Sequence, residues 1–341
     1  MAAPSVALTA RQTPVRIGRN TRMGILAMLW LVAFYALIGP QQVANALTLG
    51  AIYALIALGY TMVYGIIELI NFAHGDVFMI GAFVAMFLTT NVLGIHGSIN
   101  DPLRLAVTLI IVFAVTMTAT SILGVAIERL AYRPLRHAPR LAPLITAIGV
   151  SFILQNVALF LFGPASVNTP QLINPALHLE LLGASVAYVN IFIFILAILL
   201  MVALNLFVGR TRLGRAMRST AQDPQASQLM GVDLNQTIAV TFLIGSALAG
   251  AAGVIQGIYL GSAKWDFGFN GGLKAFTAAV LGGIGNTTGA ALGGFIIGFL
   301  EVAAASKGYG RWSEAIVFSV LIAVLIFRPA GLFGQQIGER A

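Results

Sequence analysis

The residues able to do acid–base, nucleophilic or metal chemistry are few and scattered. Four histidines, His74, His96, His137 and His178, lie in four different loops or segment ends, which argues against a metal cluster. Cysteine is absent, so disulfides, thiolate catalysis and cysteine-ligated zinc or iron–sulfur sites are excluded. The three lysines, Lys264, Lys274 and Lys307, lie outside any G-x-x-x-x-G-K-[ST] pattern, so the chain supplies no Walker A phosphate loop. Neither H-E-x-x-H nor G-x-S-x-G occurs, and the G-x-G at Gly283–Gly285 has no βαβ context. Catalytic residues, cofactors and metals are therefore not expected, and neither is an enzyme. The richest polar stretch is INFAHGDVFMIG, 70–81, where Asn71, His74 and Asp76 with Glu68 sit between two apolar runs. Ionisable groups at membrane depth are costly and mark a pathway or a pair. The plainer alternative is a cytoplasmic turn with Asp76 capping the next helix.

These residues must be held by elements whose solvent is lipid. Of 341 residues, 59 % are hydrophobic and only 9 % charged, against about 25 % charged in ordinary soluble domains. Apolar runs predict an all-α polytopic membrane protein of about ten segments: 23–40, 42–65, 76–90, 105–127, 141–163, 186–208, 237–260, 273–285, 288–305 and 313–327. Segments 76–90 and 273–285 are short and lie beside Gly-rich breaks. Such interrupted segments are tolerated where they line a cavity or are buried in protein. Both are third in a five-segment half, which hints at an inverted five-helix repeat.

Basic residues set the orientation. Arg11, Arg16, Arg19 and Arg22, the loops with Arg129, Arg133, Arg136 and Arg140 and with Arg210, Arg212, Arg215 and Arg218, and Arg328 and Arg340 put fourteen on one side. Arg104, Lys264, Lys274, Lys307 and Arg311 fall on the other. The bias predicts a basic cytoplasmic tail at 1–22, one transmembrane domain at 23–327, a cytoplasmic tail at 328–341, and both termini inside. It also explains the net charge of +8 without nucleic acid. A basic stretch, an apolar run and Ala44-Asn45-Ala46 also resemble a cleavable signal, but the ten-span count balances only if the first segment stays.

Two further patterns concern assembly. Gly245, Ala249, Gly253, Gly257 and Gly261 recur every four residues, as do Gly285, Gly289 and Gly293. Such ridges let helix backbones approach closely, within the chain, at a dimer seam or along a channel wall. Gly253→Leu is expected to force backbones apart and Gly253→Ala to be mild. The loop 209–236 is long for a helix connection. Arg212 to Gln222 reads as one short helix with a basic face, and Asp223-Pro224 opens a second, Pro224 to Met230, closed by Gly231. That second helix offers Ala226, Leu229 and Met230 to a partner groove. The plain alternative is an orientation signal touching anionic lipid.

Several long motifs in order resemble the LivH-type permeases of branched-chain amino acid ABC importers. They are TLGAIYALIALGYTMVYGIIELINFAHGDVFMIGAF (48–83), IERLAYRPLR (127–136), LITAIGVSFILQN (144–156), GRAMRSTAQD (214–223), GLKAFTAAVLGGIGN (272–286) and FRPAGLFG (327–334). The resemblance implies a permease half paired with a LivM-type subunit, two separate ABC ATPase subunits, and a periplasmic substrate-binding protein in the bacterial inner membrane. It implies coupling to the ATPases at Gly214, Arg215, Arg218, Asp223 and Gly231, with Ala226 added from its apolar helix. Related permeases carry urea or short amides, and a self-sufficient channel or ion-coupled carrier is the reading from another class. For the substrate path, sparse polar groups in an apolar wall select Asn71, His74, Thr277, Asn286 and Thr287.

Overall fold

A computed structural model describes residues 34–334 except 137, 140 and 182. The first expected segment, 23–40, lies mostly outside the described residues. Its end, 34–38, is helical and turns at Gly39, whose φ of 84° only glycine adopts readily. Pro40 then opens α1 (Pro40–Ile67), followed by α2 (His74–Phe87), α3 (Pro102–Ile127), α4 (Leu141–Phe162) and α5 (Tyr188–Arg210). Two short helices, α6 (Arg212–Gln222) and α7 (Pro224–Leu229), precede α8 (Leu234–Leu260), α9 (Phe267–Gly282), α10 (Thr287–Ser306) and α11 (Ser313–Phe327). Among the described residues eight helices, counted with their continuations, are long and apolar enough to cross a membrane. The chain is an all-α polytopic membrane protein.

Strand is confined to two scraps on the face away from α6 and α7. The strands β1 (Val167–Asn168) and β4 (Ser262–Ala263) pair antiparallel, as do β2 (His178–Leu181) and β3 (Ala184–Ala187), with Leu179 opposite Val186.

The boundaries correct two expectations. Segment 76–90 is not short. It starts at His74, and a π-helical turn, Leu88–Val92, extends it to 19 residues. The polar LTTN stretch looks like a break, but the Thr89 and Thr90 hydroxyls donate back to the carbonyls of Ala85 and Met86 at 2.7–2.9 Å, which satisfies groups that lipid could not. Segment 273–285 begins earlier, at Phe267, and ends at Gly282. The FGFNGG stretch that reads as a break is helix packed on α2. At 16 residues, or about 24 Å, α9 is still too short to cross about 30 Å of hydrocarbon. Lys274 is also corrected. It lies inside α9 rather than in an outer loop, with its side chain 12 % exposed.

The core is organised around α1, which is buried on nearly all sides by α10, α8, α9 and α5. Two helices pressed on all faces need backbone-to-backbone contact, and small residues allow it. A Cβ at Gly294 would lie 2.4 Å from the Ala54 nitrogen, and one at Gly298 would lie 2.4 Å from the Gly50 nitrogen. By contrast α4, α5 and α11 expose most of their apolar side chains and touch the bundle along one stripe.

Candidate functional site

Two helices begin inside the helix layer, and their first turns pass each other. The chain leaves α1 at Ile67, with Glu68 in the left-handed region at φ 54°, and re-enters the layer over 68–73 before α2 starts. His74 packs on Gly59, eight residues before the end of α1, so α2 starts about 12 Å into the layer at 1.5 Å per residue. From the opposite face, α8 ends at Gly261, and residues 262–266 bring the chain down to the start of α9. The two starts meet backbone to backbone. A Cβ at Gly272 would lie 2.7 Å from the Gly75 Cα, and one at Gly268 would lie 2.7 Å from the Gly75 oxygen. The Phe78 and Phe267 rings close the crossing edge-on at 5.1 Å. Neither first turn has a side-chain cap, so the positive ends of two helices point into the protein interior.

Polar side chains collect at this crossing. His74 is fully buried, with its ring 4.7 Å from that of Tyr60 in a T-shaped contact. Gly59 makes room for it, since a Cβ there would come within 2.3 Å of Nε2. Neither ring nitrogen completes a hydrogen bond, although the Ile56 backbone lies alongside. Asp76 is also fully buried, and neither carboxylate oxygen completes a hydrogen bond. Ser151 and Gln155 of α4 approach that carboxylate but bond to each other, Gln155 Nε2 donating to Ser151 Oγ at 3.1 Å. Asn71 is buried below, its Oδ1 3.3 Å from the Tyr132 hydroxyl, which also donates to the Ile70 carbonyl at 3.0 Å. Between Tyr60, Thr61, Tyr64, Ile70 and Phe276 lies a cavity of about 10 Å³, no larger than about one water.

The other path candidates lie apart from this crossing. Thr277 is buried in α9, with its hydroxyl donating to the Leu273 carbonyl at 2.9 Å. Asn286 caps α10, accepting from the Gly289 N–H at 3.0 Å and donating to the Phe333 carbonyl at 2.9 Å. Thr287 sits at the same face, donating to Asn205 Oδ1 at 2.6 Å. The structure thus places Asn71 and His74 at the crossing and Asn286 and Thr287 apart from it, on the side of α6 and α7.

Sequence reasoning passed over Tyr60, Tyr132, Ser151 and Gln155. A signal for the last pair existed: two polar residues four apart in an apolar span share one helix face. It also missed a second polar group, where Lys274 donates to Glu301 at 2.7 Å, Tyr53 donates to the same carboxylate at 2.7 Å, and Glu314 lies 3.8 Å from the lysine.

The glycine ridges divide by neighbour. Cβ atoms at Gly253, Gly289 and Gly293 would lie 2.0–2.4 Å from the carbonyls of Phe78, Gly282 and Ala278. Gly253→Ala is therefore not the mild change expected, because the first carbon already meets backbone. At Gly245 the Gly59 carbonyl would be 3.2 Å away, Ala249 is fully buried, and at Gly257 the nearest atom is Thr169 at an ordinary 3.7 Å. Gly261 and Gly285 have positive φ, 66° and 86°.

The face bearing α6 and α7 is built by capping. Thr211 Oγ1 accepts from the Gly214 N–H at 3.0 Å, and Gly214 approaches the Val208 carbonyl so closely that a Cβ would lie 2.3 Å from it. Arg212, Arg215 and Arg218 are exposed on α6, with Arg218 donating to the Val208 carbonyl. Asp223 accepts from the N–H groups of Gln225 and Ala226 at 2.9 Å, Pro224 takes the first helical position, and Gly231 ends the turn at φ 84°. Ala226 is exposed, and Leu229 and Met230 are 89 % and 85 % exposed. Leu229 and Met230 are thus two adjacent apolar side chains exposed at the loop tip.

Comparison with known proteins covers most of this architecture. A family profile described as branched-chain amino acid transport system / permease component matches residues 42–325. The high-affinity branched-chain amino acid transport system permease protein BraD of Pseudomonas aeruginosa is 43 % identical over 317 residues, covering 88 % of this chain and 97 % of that one. LivH of Escherichia coli K12, with the same description, is 42 % identical over 303 residues with the same coverage. More distant is the autoinducer 2 import system permease LsrD of Escherichia coli, 26 % identical over 58 % of this chain and 62 % of its own. No solved structure matches.

Proposed function

The chain belongs to the branched-chain amino acid transport permease family, and on that premise we propose how it works as the membrane-spanning subunit of an ATP-driven importer. Branched-chain or similar apolar amino acids are its cargo, moved inward from a periplasmic binding protein. The chain is a transport subunit and not itself an enzyme. ATP is hydrolysed by two separate ABC subunits, and a LivM-type permease completes the membrane part. It resides in the bacterial inner membrane with both termini in the cytoplasm. The observation that carries this reading is 42–43 % identity to such permeases over nearly their whole length.

Within this assembly the crossing of α2 and α9 is the place where the membrane barrier is thinnest in apolar matter. Asn71 and His74 mark the middle of the path, and Thr277, Asn286 and Thr287 its way to the cytoplasmic face. On that face α6 and α7 dock on an ATPase through Gly214, Arg215, Arg218, Asp223, Ala226 and Gly231. Here Leu229 and Met230 fill a groove while the arginines meet acidic partner residues.

Reconstitution tests the reading. The chain in proteoliposomes with its partner permease, both ATPases and leucine-loaded binding protein should accumulate leucine only when ATP is present on the cytoplasmic side. Leucine flux through the purified chain alone would make it a carrier or channel. Uptake of urea or amides in place of leucine would move the cargo to that class.

A further inference from the structure

The buried Asp76 carboxylate has no role in holding the fold together that its surroundings reveal. It sits in the first turn of α2, where the positive helix end favours an anion. Yet both oxygens are buried and neither completes a hydrogen bond. Buried polar atoms are satisfied in nearly all native proteins, and each exception asks for an explanation. At membrane depth that demand is stronger, because no water is at hand and an unpaired charge is costly. The nearest polar side chains, Ser151 and Gln155, come from a different helix, α4; both lie close enough to act on the carboxylate, and Gln155 Nε2 also donates to Ser151 Oγ at 3.1 Å.

The helix that brings them packs on α2 along one face. Its buried residues, among them Ala147, Ser151, Gln155 and Ala158, form one stripe facing α2, and its other faces are exposed. That stripe also carries Leu154, and the Phe162 ring stacks on Phe83 of α2 at 4.3 Å, while Asp76, Ser151 and Gln155 meet between the two helices. Their chemistry is that of a cation receptor. The set holds one anionic carboxylate, one hydroxyl oxygen and one amide oxygen, which are three acceptors for a group with three N–H donors in tetrahedral array.

We propose that Asp76, with Ser151 and Gln155, receives the α-ammonium group of the amino acid in transit, between α2 and α4. The assignment rests on the chain's being an amino-acid importer subunit and names the residue that neutralises the cargo's positive charge inside the membrane. An ammonium crossing hydrocarbon alone is prohibitive, but paired with a carboxylate and two further acceptors it is not. The same pairing would give the buried Asp76 oxygens the donors they lack within the chain.

The test uses the full complex in lipid nanodiscs. Asp76 is labelled with a hydrophobic carbodiimide, which reacts with the protonated fraction that a buried carboxylate exchanges with and which an ammonium partner would deplete, and the site is read by mass spectrometry. Leucine-loaded binding protein during turnover should slow labelling of Asp76 at least threefold relative to empty binding protein. Equal rates, no labelling in any state, or protection by sodium chloride without leucine would each overturn the assignment. In uptake, Asp76→Asn should lower leucine accumulation tenfold or more while the subunits still copurify, and Asp76→Glu should restore part of it. If Asp76→Asn fails to assemble, Gln155→Ala and Ser151→Ala decide: unchanged leucine uptake in both overturns the proposal, and a severalfold loss in either supports it. Failure of the importer reading itself looks different, since the unsubstituted complex would then take up no leucine.

Discussion

The crossing of α2 and α9 and the α6–α7 pair solve opposite problems with overlapping residue types. At the crossing, glycines remove side chains so that backbones touch, and polar groups are buried with few partners. In the α6–α7 pair, Thr211, Asp223 and Gly231 satisfy the backbone locally, and Leu229 and Met230 point outward. A glycine at the crossing is a matter of space, whereas Gly231 is a matter of φ. The difference teaches that one residue type carries two kinds of constraint, and that each kind fails differently when broken.

The largest effect is expected at Gly253. Its Cβ would lie 2.4 Å from the Phe78 carbonyl, so Gly253→Leu should cost at or beyond the upper end of the about 1–3 kcal/mol typical of overpacking. Gly253→Ala should also lower the melting temperature in detergent, by a smaller but clear margin. Gly257→Ala, with its nearest neighbour at 3.7 Å, should match the parent. Equal melting of the two alanine variants would mean that the packing of α8 on α2 yields to a methyl group and that space is not its constraint.

Next come Ala226→Arg and Gly231→Val. Thermal stability of the chain itself should change little, because α7 is exposed. ATPase copurification should drop at least tenfold. A β-branched residue is disfavoured at φ 84°, so Gly231→Val reshapes the turn, while Ala226→Arg places a charge on the docking side. Normal copurification of both would reduce the pair to an orientation signal.

Smaller still is Asp223→Ala, which removes the cap on Gln225 and Ala226 and should cost about 1 kcal/mol of local helix stability. Hydrogen exchange across α7 should quicken accordingly, with partial loss of substrate-stimulated ATP hydrolysis. Faster exchange without any change in hydrolysis would separate the cap from coupling. The smallest effect belongs to Thr277→Val. Its hydroxyl serves only the Leu273 carbonyl among the described residues, so its loss should cost about 0.5 kcal/mol, the low end for one hydrogen bond. Leucine uptake can then be read without a stability correction, and a fall would place the Thr277 hydroxyl on the path.

What the sequence alone determined is what short-range physics controls. Apolar run length located the spans, because hydrocarbon thickness sets them. Asp223-Pro224 and Gly231 located α7, because caps and positive φ act within four residues, whereas the Thr211 cap of α6 came from the structure. What the tertiary structure decided is everything that depends on a neighbour from another helix. The FGFNGG stretch reads as a break and is helix, because Gly268 and Gly272 are needed where α2 passes. Lys274 reads as an outer-loop cation and lies within the bundle against Glu301. Asp76 reads as one of several acids near a turn. Only the approach of α4, 75 residues further along the chain at Ser151, shows it buried beside Ser151 and Gln155, with no hydrogen bond completed by either oxygen. Burial and pairing are properties of contacts between distant segments, and composition along one segment does not contain them.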